Sequence, residues 1–95
     1  MPVKLKFWDE QIATKFAGFV PDKGIDGFLG ITIDSFEPGQ LVASFKVLPE
    51  MVTMIGNIHG GCISAFCDHV LGVVLYPAMP KGSWAATTEF KINLL

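Results

Sequence analysis

Between Asn57 and Val70 the chain reads NIHGGCISAFCDHV, an apolar run with His59, Gly60 and Gly61 at its entrance and a lone carboxylate, Asp68, nine residues after the histidine. A carboxylate in oily surroundings is expensive unless it has a partner or a chemical task. Two glycines at the start of a helix leave backbone N–H groups bare at the positive end of the helix dipole, where an oxyanion is stabilised. Asp68 supplies a general base or a nucleophile. Together these groups suit attack on a polarised carbonyl.

Spacing limits how they can cooperate. Seven residues are almost two helical turns, so Gly61 and Asp68 share a face with Ser64 and Gly72, a stripe of small and polar side chains on an apolar cylinder. The same seven residues separate Gly61 from Asp68 by about 10 Å along the axis, too far for both to touch one carbonyl. One chain therefore does not make a site by itself. Two copies facing each other across a two-fold axis would set the glycine of one opposite the aspartate of the other, giving two equivalent sites. The plain alternative is that Gly60 and Gly61 turn the chain and Asp68 is a hydrogen-bonded core acid.

Other chemistries of the same residues fit less well. His59, Cys62, Cys67, Asp68 and His69 scatter around a helix and do not converge as metal ligands, so no metal is expected. Cys67 and His69 face differently and do not form a nucleophile pair. His69 is expected at a contact between elements. Cys62 and Cys67, roughly 8 Å apart on a helix, are expected to remain buried free thiols.

The elements that position these residues follow from periodicity. Trp8, Ile12, Phe16 and Phe19 recur at helical spacing within Phe7 to Val20, with Asp9 and Glu10 near the start and Pro21 after the end. PDKGIDG then reads as a loop. FLGITIDSF and LVASFKVL flank EPGQ, whose Pro-Gly pair suits the centre of a type II turn, so a hairpin is expected. PEMVTMIG leads as a loop into a helix from Gly60 to about Tyr76, stopped by Pro77 and Pro80. Ile63, Phe66, Val70, Val73 and Val74 cover a wide arc, which predicts a buried central helix. WAATTEFKINLL alternates cleanly and predicts a long strand. The chain ends inside that strand, which suggests that further strands are missing.

Ninety-five residues make one small domain, with 51% hydrophobic, 12% aromatic and only 17% charged residues. So apolar a composition predicts that some surface belongs to a partner subunit. The net charge is −2 and all seven basic residues are lysines, which argues against nucleic-acid binding. The aromatic residues are first of all core, and Lys46, Lys81 and Lys91 read as solvated lysines rather than a phosphate site. The start of the chain lacks a signal-peptide pattern and no stretch reaches about 20 apolar residues, so no membrane association and a cytoplasmic location are expected.

HGGCISAFCD, with Gly56 before it and TTEFKINLL after it, resembles the hotdog-fold acyl-CoA thioesterases of the PaaI type. The resemblance implies an α+β hotdog fold over residues 1–95, an antiparallel sheet wrapped around a central helix, here without about two C-terminal strands. It implies a homodimer or homotetramer that hydrolyses acyl-CoA to a carboxylic acid and free coenzyme A, with no cofactor besides the coenzyme A of the substrate. Gly61 would donate its N–H to the thioester carbonyl, Asp68 of the other subunit would act as base or nucleophile, and His59 would orient them. Thr87 stands where a strand hydroxyl can position water, and Asn57, Gly60 and Ser64 stand beside the substrate. Where many relatives carry an asparagine six residues before the histidine, this chain has Thr53, which can give one hydrogen bond without an amide's geometry. That departure is the best argument for an alternative role, a non-catalytic protein that binds acyl-CoA or acts as an oligomeric scaffold, whereas retention of both His-Gly-Gly and Asp68 favours the enzyme. A hotdog dehydratase would need a different helix entrance.

Overall fold

The first helix begins where its cap is, at Asp9. In the computed structural model, which describes residues 5–95, α1 spans Glu10–Gly18, and Asp9 Oδ1 accepts hydrogen bonds from the N–H groups of Gln11 at 3.1 Å and Ile12 at 3.2 Å. The helix is shorter than the predicted Phe7 to Val20. Asp9 takes the capping position, leaving Trp8 outside, and the backbone turns extended at Phe19. Glu10 in the first turn and Lys15 in the last both suit the dipole.

The expected PDKGIDG loop is instead largely a second short helix, α2 (Gly24–Leu29), which also takes Phe28 and Leu29 from the predicted first strand. Gly30, at φ 68°, closes it in the left-handed conformation, its N–H shared between the carbonyls of Asp26 and Gly27. Loop composition hid this helix because its glycines serve close approach. A Cβ on Gly27 would come within 2.8 Å of the Asp22 backbone carbon.

The hairpin forms as expected, with narrower bounds: β1 (Ile31–Glu37) pairs antiparallel with β2 (Gln40–Phe45) around Pro38 and Gly39, the glycine at φ 76° as a type II turn requires. Register runs Ile31 to Phe45 through Ile33 to Ala43, then resumes at Ser35 to Val42, so Asp34 is an extra residue in β1. This bulge shifts the alternation by one. It puts Phe36 on the same face as Ile31 and Ile33, while Thr32 and Ser44 meet outside through hydroxyls 3.0 Å apart.

Beyond β2, a single turn of 3-10 helix at Pro49–Met51 and a two-residue bridge between Val52 and Ile58 lead into α3 (Gly60–Val73). The helix stops earlier than Tyr76, giving way to a further 3-10 turn at Tyr76–Ala78 that contains Pro77. Two clusters make the core. Ala13, Phe36 and Val73 gather Trp8, Phe16, Ile33, Leu41 and Val74, with Trp8 edge-on to Phe36 at 5.6 Å. Leu29, Ile31 and Met51 gather Phe45, Ile58, Cys62, Ala65 and Phe66.

Two expectations fail. The α3 helix is not a buried central helix, because a sheet of two strands covers one side of it and leaves Val73 as its one fully buried residue. Residues 84–95 are not a strand, and their backbone makes no hydrogen bond with described residues. Alternation gives a segment two faces but no partner, and a strand needs an edge to pair with. The segment instead runs back along α3, with Phe90 and Ile92 beside Phe66 and Val70 and with Leu94 over Gly60.

The architecture is thus α+β, a two-stranded antiparallel sheet with helices packed against it. It is loosely packed for its mass. A folded chain of 10.3 kDa exposes about 5,400 Å² by the usual scaling, whereas this one exposes 7082 Å². Its radius of gyration of 14.5 Å likewise exceeds the about 12.4 Å expected for its length. The run Gly60–Ala78 is 19 residues long and apolar enough by composition to cross a membrane. However, the 14 residues of α3 itself span about 21 Å, well short of a hydrocarbon core of about 30 Å, and one side packs on the hairpin.

Candidate functional site

The entrance of α3 is built by His59. Its backbone is extended at φ −68° and ψ 131°, its N–H donates to the Met51 carbonyl at 2.7 Å, and its Nδ1 accepts the Gly61 N–H at 2.8 Å. The imidazole therefore caps the helix, and the Nδ1 that accepts carries no proton. The resemblance leaves the Gly61 amide for a carbonyl, but in the single chain it is already bonded. His59 is exposed, so a change of its side-chain rotamer would free that N–H. The Gly60 amide, at the first helical position, has no intrahelical acceptor.

Thr53 and Asn57 are brought together. Thr53 N–H donates to the Asn57 carbonyl at 2.7 Å and Thr53 Oγ1 donates to Asn57 Oδ1 at 2.7 Å, across a turn whose Gly56 sits at φ 94°. Asn57 Nδ2 donates to the Ile58 carbonyl at 3.2 Å. The threonine thus supports the asparagine, and both brace the backbone that presents His59. Met54 and Ile55, almost fully exposed, form the tip of the turn.

Asp68 lies two turns further along α3. The residue is half-buried, but its Oδ1 is shielded from solvent and has no hydrogen-bond partner. An unsatisfied buried acceptor costs about 1–3 kcal/mol, more when charged. The expectation of a hydrogen-bonded core acid therefore does not describe this oxygen. On the same stripe Ser64 is half-buried, and a Cβ on Gly72 would meet nothing within 4 Å. Gly61 and Asp68 remain about 10 Å apart along the axis, as the spacing requires.

Thr87 is not brought to these residues. It is exposed in the segment 84–95 and bonds to no described residue. His69 does sit between elements, lining a cavity of about 80 Å³ with Phe16, Ile31, Ile33 and Asp26. Cys62 and Cys67 are both free and half-buried. Among the described residues no group of His, Cys, Asp and Glu gathers that could hold a metal ion.

Sequence reasoning missed the imidazole cap and the Thr53 to Asn57 bond. Each had a signal: a hydrogen-bonding side chain just before a helix start, and a short polar turn closed by Gly56 and Asn57. The contact of Leu94 with Gly60 had none. As it stands, the arrangement offers backbone donors at a helix mouth, an imidazole able to cover or uncover one of them, and a carboxylate oxygen without a partner. No protein-family model, no curated protein and no solved structure matches the chain.

Proposed function

We propose that this chain is an acyl-CoA thioesterase of the hotdog kind, working as a homodimer or a dimer of dimers. The Gly61 N–H of one copy polarises the thioester carbonyl once the His59 ring has turned aside, and Asp68 of a second copy activates water or attacks the carbonyl itself. The coenzyme A thiolate then leaves, and where Asp68 itself has attacked, water cleaves the resulting anhydride to release the carboxylic acid and restore the carboxylate. The observation that carries this reading is the buried, unpartnered Oδ1 of Asp68 on a stripe with Ser64 and Gly72. No group of its own chain engages this oxygen, so once the assembly or the substrate opens its shielded position it can take a proton from water or attack the carbonyl carbon. The surface exposed beyond the usual scaling, about 1,700 Å², is ample for a standard partner face of about 800 Å². A two-fold pairing along α3 also removes the 10 Å separation within one chain.

A second reading has its own support, since the Gly61 amide is engaged by His59. A protein in which that cap never opens would bind acyl-CoA without hydrolysing it. Thiol release from a panel of aryl- and alkanoyl-CoA esters separates the two. Hydrolysis that is lost in Asp68→Asn supports the enzyme, while acyl-CoA binding without thiol release supports the binder.

A further inference from the structure

Beside α3 lies a groove of about 320 Å³ walled by Phe66, Cys67, Val70 and Leu71 of the helix and by Phe90, Lys91 and Ile92 of the returning segment. Its walls are almost wholly hydrocarbon. Lys91 is the one cation on them, and among the described residues no carboxylate pairs with it. We infer that this groove binds a medium-chain fatty carboxylate, the alkyl chain lying along α3 and the carboxylate meeting the Lys91 ammonium.

Size and charge set the ligand class. At 320 Å³ the groove has room for an alkyl chain of about eight to ten carbons, which its apolar walls hold better than they would a two-carbon acid. An apolar wall with a single unpaired ammonium favours an anionic head over a neutral or cationic one. The free carboxylate is favoured over the coenzyme A ester because the ester carries no charge beside its alkyl chain. The site is independent of hydrolysis, since none of its walls comes from His59, Gly61 or Asp68.

Isothermal titration of the full chain with decanoate and with decanol tests this directly. The expected result is saturable binding of decanoate, weaker binding of decanol, and a loss of decanoate affinity of about fivefold in Lys91→Ala with decanol little changed, in line with a partly exposed ion pair. Leu71→Trp, at a half-exposed wall position, should block decanoate while far-ultraviolet circular dichroism stays the same. Three results would overturn the inference: no decanoate binding to a folded chain, equal decanoate affinity in Lys91→Ala, or a Leu71→Trp protein that retains full affinity. If sedimentation shows the chain to be a dimer that Leu71→Trp splits into monomers, the groove is an interface between copies and the inference also fails.

Discussion

His59 is where local structure and proposed chemistry meet. Removing its ring in His59→Ala deletes the Nδ1 acceptor of the Gly61 N–H, which should lower stability by about 1 kcal/mol, while His59→Asn should recover most of that. Urea unfolding of the three proteins checks it. Gly61→Ala works on the same bond from the other side, because its Cβ would come within 2.9 Å of His59 Nδ1. Asp68 makes the opposite trade. Its unpartnered Oδ1 means that Asp68→Asn should leave the melting temperature unchanged or a few degrees higher while removing thiol release, whereas a hydrogen-bonded core acid would lose stability on the same change. The types and spacing of these residues were legible in the sequence, because helical geometry fixes which of them share a face. The imidazole cap was not, since which ring nitrogen meets which amide depends on the backbone at Met51 that holds His59.

Among the elements, the hairpin depends most on one residue. Asp34 has no cross-strand counterpart, and its presence turns Phe36 inward against Trp8 and Phe16. Deleting Asp34 should flip Phe36 outward and abolish cooperative unfolding, since losing a buried phenylalanine costs about 3–5 kcal/mol. Asp34→Ala should be nearly neutral. Thermal unfolding followed by circular dichroism tells these outcomes apart. The turn at Pro38 and Gly39 was readable because proline fixes one φ and glycine permits a positive one. Helix α2 was not readable, because glycines that usually mark loops serve there for a close backbone approach and a left-handed cap. Residues 84–95 show the limit of pattern reading most clearly. Their alternation is that of a strand, yet pairing requires an edge elsewhere, and Leu94 lies on α3 instead.

At the scale of the whole molecule, the chain has more surface than its mass warrants, and much of it is hydrocarbon. Phe28, Val42, Leu75 and Trp84 are all well exposed. A second copy covering such a face would bring the exposed area per chain towards the usual value. Sedimentation velocity at micromolar concentration should therefore show a dimer or tetramer. If the site pairs Gly61 of one copy with Asp68 of another, as proposed, activity should fall with dilution as the copies separate.

Mixing two inactive variants tests the shared site most directly. Asp68→Asn retains Gly61, and Gly61→Val retains Asp68, so a mixed dimer holds one intact site and one doubly disabled site. Equal amounts, dissociated and reassembled together, should recover about a quarter of the native thiol-release rate, since half the dimers are mixed and each has half its sites. Mixed dimers that form, as shown by tagged co-purification, yet release no thiol would contradict a site shared between two copies.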